Sequence, residues 1–176
     1  TLFKVILTLV ISTVVAFVFY KDLIEIVKLP IEKANLAGAD LETSLSVFSP
    51  VEGFMSVIKI CLYAGLISSF PLLLYFIGEF IIPGLNEKEK KLIIPVVFGS
   101  FILFATGVLF AYYVVIPRAL VFFDTFNSGV GIDTDLRFKY TVSFVTMLSL
   151  VFGLCFELPV VVLTLVKLGL LDSKMM

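Results

Sequence analysis

The chain alternates between long stretches with almost no charge and shorter stretches rich in it. Apolar runs cover about residues 2–20, 50–82, 92–116 and 138–166. A charged turn occupies 83–91, and mixed polar connections on the opposite side occupy 21–49 and 117–137. The clearest unit is the pair of runs around Pro83-Gly84-Leu85-Asn86-Glu87-Lys88-Glu89-Lys90-Lys91. From Leu92 to Ile116 there is no Asp, Glu, Lys or Arg, and as a helix at ~1.5 Å per residue that run is ~37 Å long. This exceeds the ~30 Å hydrocarbon core of a bilayer. The pattern predicts an all-α polytopic membrane protein. It has one transmembrane domain over 1–176 with four spans, and the charged turn is the tip of a helical hairpin.

Local signals refine the runs. The first lacks the small-residue cleavage pattern of a signal peptide and reads as a span. Between Asp22 and Leu29 the apolar positions Leu23, Ile24, Ile26 and Val27 predict a short interfacial helix stopped by Pro30. Gly38-Ala39-Asp40 marks a turn. Ser49-Pro50-Val51-Glu52 is a helix start, with the Ser49 side chain as N-cap acceptor and Pro50 at the first position. The second span is ~50 Å if continuous, with a kink expected at Pro71. Lys59 and Glu79 fall near its two ends and read as interfacial charges. In the third span Gly99, Ser100, Ala105, Thr106, Gly107 and Ala111 permit close packing in lipid. Tyr112 and Tyr113 reach the far interface, and Pro117-Arg118 end the run. Asn127 to Gly131 reads as a loop, Asp133 or Asp135 as the cap of the fourth span, and Gly169 as the residue that closes it.

Composition agrees with the pattern. Of 176 residues 60% are hydrophobic and 15% charged, against about 25% charged in soluble domains; the mean hydropathy is +1.16. A net charge of −1 gives no footprint for nucleic acid, and the absence of His removes imidazole metal sites and a histidine base. Cys61 and Cys155 both lie inside apolar runs, so neither a structural disulfide nor a zinc site is expected, and no cofactor is implied. Four spans put both ends of the chain on the side of the charged turn. Lysines and arginines divide evenly between the two sides. Their density in the short turn places that turn in the cytoplasm or stroma.

Glu157, in Phe156-Glu157-Leu158-Pro159, is the acidic residue well inside a span. A carboxylate at depth costs a few kcal/mol unless it is protonated, hydrated or paired. Pro159 adds polarity by leaving a carbonyl of the preceding turn unpaired. Three roles stay open at this point: a structural hydrogen bond to another helix, a polar contact for a partner's helix, or a proton-carrying site. Ser100 and Thr106 of the third span are the nearest candidate partners within the chain.

In this order and spacing several short motifs resemble the TatC family, the multi-span core subunit of the twin-arginine protein translocase. They are Phe70-Pro71-Leu72-Leu73-Leu74-Tyr75, Phe80-Ile81-Ile82-Pro83-Gly84-Leu85 and Glu89-Lys90-Lys91, with Ser49-Pro50, Glu52 and Phe54. Further matches are Gly107 with Phe110-Ala111-Tyr112 and Pro117, and Phe156-Glu157-Leu158-Pro159 with Gly169. The resemblance implies six spans with both ends cytoplasmic, of which four are expected here. The amino-terminal segment and the last two spans are missing, as in a fragment. It implies a non-enzymatic subunit that binds the twin-arginine signal peptides of folded precursors. Glu89, Lys90, Phe80 and Leu85 would form the signal-peptide site, and Glu157, Phe156 and Tyr112 the contact with single-span TatA- or TatB-type subunits. Self-association in a receptor complex is also implied, in a bacterial inner or plastid thylakoid membrane. Glu79 departs from the family, where many members carry a basic or neutral residue. The rival reading is an ion-coupled transporter or channel that uses Glu157 as its proton or cation site.

Overall fold

Helices follow one another with little between them in the computed structural model, which describes residues 2–39, 41, 45–81, 87–132, 134 and 136–167. They are α1 (Leu2–Val18), α2 (Tyr20–Leu36), α3 (Pro50–Ile81), α4 (Glu87–Phe110), α5 (Ile116–Gly129) and α6 (Phe138–Lys167). A π-helical turn, Ala111–Val115, joins α4 to α5 without a break. Among the described residues the one β pairing is an isolated bridge between Ser46 and Arg137.

Three segments are long and apolar enough to cross a bilayer: Pro50–Phe76, Pro95–Gly129 and Phe138–Thr164. The fourth candidate is the pair α1 and α2, bent by 81° at their junction. The bend follows from composition. α1 is apolar throughout and packs along α3, whereas α2 carries Lys21, Asp22, Glu25, Lys28, Glu32 and Lys33 on one side. Its buried side is Val27, Pro30, Ile31 and Ala34, the i, i+3, i+4, i+7 stripe of an amphipathic helix. Such a helix belongs in the interface plane.

Each spanning helix buries a stripe of small and polar residues. On α3 it is Ser56, Ile60, Cys61, Gly65 and Ser69; on α4, Ser100, Phe104 and Gly107, continued by Ala111 of the π turn; on α6, Val142, Val145, Thr146, Ser149, Gly153 and Glu157. Lipid tails are as apolar as leucine, so close approach, not apolarity, drives this packing. A Cβ placed on Gly107 would stand 2.7 Å from the carbonyl oxygen of Phe152, and one on Gly65 would stand 2.8 Å from the backbone of Thr13. The larger apolar core lies at the end away from the charged turn. There Val27, Ile31 and Ala34 of α2 meet Ile60 of α3, Ile116 and Leu120 of α5, and Phe138, Val142 and Val145 of α6.

Several features differ from the sequence expectations: α4 already begins at Glu87 within the expected charged turn, and α5 holds Asn127 to Gly129 of the expected loop. The interfacial helix does not stop at Pro30 but runs on to Leu36, with Pro30 fully buried inside it. The third helical run does not end at Pro117-Arg118. The Ile116 N–H bonds to the Ala111 carbonyl, five residues back, and this π register lets Pro117 enter at the first turn of α5. The Glu52 N–H is accepted by the main-chain carbonyl of Ser49 at 3.0 Å, not by its hydroxyl. Asp133, Asp135 and Gly169 lie outside the described residues.

Candidate functional site

The chemistry concentrates toward the end where α3 finishes and α4 begins. Ser69 closes the buried stripe of α3, Ser100 opens that of α4 and Glu157 closes that of α6. All three are buried within about four helical turns of that end. The Ser69 hydroxyl is used within its own helix, donating to the Leu66 carbonyl at 3.1 Å.

Glu157 is 6% exposed. The Ser100 side chain lies beside its carboxyl group across the α4–α6 seam. The carboxyl oxygen Oε1 is buried with no hydrogen-bond partner. Thr106, the second candidate partner, instead donates to the Ile102 carbonyl of its own helix at 2.7 Å. The seam beside Glu157 is tight: Phe156 packs over Gly107, and its ring lies 5.9 Å from that of Phe110. Leu154, Leu158 and Val161, neighbours of Glu157 on the α6 surface, are exposed. One carboxyl oxygen is thus held inside the protein without a donor, next to an exposed strip of α6.

At the end of α3 nearest the turn, Lys4 Nζ and Glu79 Oε1 form an ion pair of 3.3 Å with both side chains well exposed. It fastens the start of α1 to the end of α3. The departure at Glu79 therefore has a local use, although an exposed pair contributes only ~0–1 kcal/mol.

The sequence-predicted site residues separate into groups. Phe80 belongs to α3, and Glu89 and Lys90 to the first turn of α4, but their side chains lie outside the description; Leu85 lies outside the described residues. Phe156 and Glu157 are brought together on the seam. Tyr112 sits apart from them in the π turn, where its hydroxyl donates to the Ile26 carbonyl of α2. The ammonium of Lys33 lies over the neighbouring Tyr113 ring at 3.9 Å. Both tyrosines therefore hold α2 from the π turn. Sequence reasoning missed Gly153, where a Cβ would stand 2.6 Å from the Phe104 ring of α4; its place four residues before Glu157 on a small-residue stripe was the signal available. Among the described residues no cluster of three or more His, Cys, Asp or Glu is arranged to hold a metal ion.

The whole of residues 1–176 matches the family described as Sec-independent protein translocase protein (TatC). The chain is 52% identical over 143 residues to the Sec-independent protein translocase protein TatC of Akkermansia muciniphila, covering 81% of this chain and 41% of that protein. It is 35% identical over 160 residues to the chloroplastic protein TATC of Pisum sativum, covering 91% of this chain and 43% of that one. The chain thus spans about two fifths of the length of these curated relatives. Its fold is similar to a crystal structure of the twin arginine translocase receptor TatC. The TM-score is 0.85 at 36% identity, covering 98% of this chain and 74% of that one.

Proposed function

Because the chain belongs to the TatC family, we propose that it is the membrane-embedded receptor part of a twin-arginine translocase, which binds twin-arginine signal peptides and helps folded proteins cross the membrane. The observation that carries this reading is the similarity of almost the whole chain to a solved translocase receptor. The relatives are bacterial and chloroplastic, so the membrane is a bacterial inner membrane or a thylakoid.

The mechanism divides between two places. At the turn end, Glu89 receives a guanidinium of the signal peptide. A carboxylate meets that planar fork through two parallel hydrogen bonds. Lys90 orients it, and Phe80 and Leu85 supply apolar contact for the peptide beside the arginines. At the α4–α6 seam, Glu157 receives a donor from a partner's single transmembrane helix, of the TatA or TatB kind. Its unpartnered Oε1 supports this, with Phe156 beside it. Tyr112 contributes to partner binding by holding α2. The subunit performs no covalent chemistry on its cargo and takes no cofactor; further copies of it assemble in the receptor complex.

The transporter reading finds less support. It needs several polar groups converging at depth, and among the described residues Ser100 is the one polar side chain found beside the Glu157 carboxyl group. The decisive experiment is capture of a folded precursor by the full-length membrane protein. Retention of a twin-arginine precursor and loss of its twin-lysine counterpart is expected. Equal retention of both refutes the receptor role.

A further inference from the structure

At the end opposite the charged turn, a recess of about 530 Å³ opens between the starts of α3 and α6, and Lys59, Arg137 and Lys139 line it together with Glu52, Phe48 and Tyr140. The backbone builds this place. Ser46 receives the Phe138 N–H at 3.1 Å and donates to the Leu136 carbonyl at 3.3 Å. These two bonds hold the strand-like approach to α3 against the first turn of α6. Two helix N-termini, each with a partial positive charge, therefore face the same opening.

The cations are held separately. Arg137 lies over the Phe48 ring at 4.3 Å, and Lys139 is 5.8 Å from the Tyr140 ring. Lys59 stands nine residues into α3, about 14 Å along the helix, on an exposed face. Its ammonium reaches back to the Ser143 hydroxyl, 3.0 Å away, which places it roughly 7 Å below the start of α6. Among the described residues the one ion pair is Lys4–Glu79. Among the described residues, then, no carboxylate pairs with these cations, and the lining carries three positive side chains against the single carboxylate of Glu52. Exposed apolar side chains continue from its mouth along α3, through Val51, Met55, Ile58 and Leu62.

We propose that this recess is a seat for a phosphate group, and that its occupant is the headgroup of an anionic phospholipid in the leaflet opposite the charged turn. Three donors of positive charge at graded depth fit a phosphodiester at the boundary between headgroups and acyl chains. The exposed ridge of α3 gives the acyl chains a path that a free phosphate does not need.

The test is native mass spectrometry of the full-length protein from a neutral detergent, offered phosphatidylglycerol or phosphatidylcholine. Retention of phosphatidylglycerol in excess of phosphatidylcholine is expected. Combined Lys59→Gln, Arg137→Gln and Lys139→Gln should lower it by about tenfold or more, with Lys21→Gln on α2 as an unchanged control. Lys139→Gln alone, at an exposed side chain with no hydrogen bond to lose, should give a partial loss and serves if the triple variant does not fold. Undiminished retention in these variants overturns the proposal. Displacement of phosphatidylglycerol by inorganic phosphate would assign the seat to free phosphate and overturn the lipid assignment.

Discussion

The hydroxyl of Tyr112 donates to the main-chain carbonyl of Ile26, 86 residues away in sequence. That carbonyl needs a donor because the residue four positions on is Pro30, which has no N–H to give it. A tyrosine in a π turn thus completes a helix that a proline had left incomplete, and the bond fixes α2 to the junction of α4 and α5.

Removing the hydroxyl with Tyr112→Phe should cost roughly 1 kcal/mol, the net contribution of a typical intramolecular hydrogen bond. Pro30→Ala restores an N–H to the same carbonyl, so the Tyr112→Phe penalty should shrink in that background. Thermal unfolding of the four proteins of this cycle in detergent measures the coupling. Strictly additive effects would show that the two residues act apart.

Glu89→Ala in the full-length protein should weaken binding of a twin-arginine precursor by roughly ten- to a hundred-fold, the value of a bidentate and partly desolvated ion pair. Glu87→Ala should change it little, because an exposed charge contributes ~0–1 kcal/mol. Binding curves for the two variants decide between a specific contact and general electrostatics; equal losses favour the latter.

For Glu157, site-directed crosslinks from Leu154 and Leu158 to single-span partners are the readout. Glu157→Gln keeps a hydrogen-bonding group on the seam and should preserve the crosslinks. Glu157→Ala should lose most of them. If neither variant changes the pattern, the residue serves packing beside Ser100.

Gly107 and Gly99 lie on the same helix and should respond oppositely to alanine. At Gly107 the new methyl meets the Phe152 carbonyl and Phe156 ring at 2.7–3.0 Å, so α4 and α6 must separate at a cost of about 1–3 kcal/mol. At Gly99 nothing lies within 4 Å, and alanine should stabilise the helix by up to ~1 kcal/mol. Thermal unfolding of the two variants compares them directly.

Cysteine labelling tests the topology. Asn86→Cys should react from the cytoplasmic or stromal side, and Leu36→Cys and Ser128→Cys from the other. Leu36 is 89% exposed and serves better than Asn35. The Asn35 carboxamide is engaged with both the N–H and the carbonyl of Leu41. Reaction of all three positions from one side contradicts the arrangement.

Hydropathy made the long helices legible because a bilayer demands unbroken apolar length, and no other feature of the chain mimics it. The interfacial character of α2 was legible for a related reason, since Leu23, Ile24 and Val27 already lean to one side. What escaped was what the polar connections do with each other. Pro30 and Pro117 read as stops because a proline removes a hydrogen bond. Whether a helix survives that loss depends on a donor or a register change supplied from elsewhere, here Tyr112 and the π turn. The facing of Glu157 was not fixed by the sequence, and the structure sets it through the buried stripe Thr146, Ser149, Gly153 and Glu157. The orphaned oxygen was not legible either, because it depends on Thr106 spending its hydroxyl on Ile102 and not across the seam.

The π turn also decides which side chains the lipid meets. The buried stripe Ser100, Phe104, Gly107 and Ala111 would, in unbroken α register, run on to Val115, Ala119 and Phe123, and it continues instead at Ile116, Leu120 and Asp124. The one added residue turns everything after it by about 100° and leaves Arg118 outside. The π turn is therefore the place where this run best tolerates the loss of one residue. Deleting a single position between 111 and 115 would return the helix to α register with Ile116, Leu120 and Asp124 still facing inward, whereas a deletion just past Ile116 would turn Leu120 and Asp124 away from the core by about 100°.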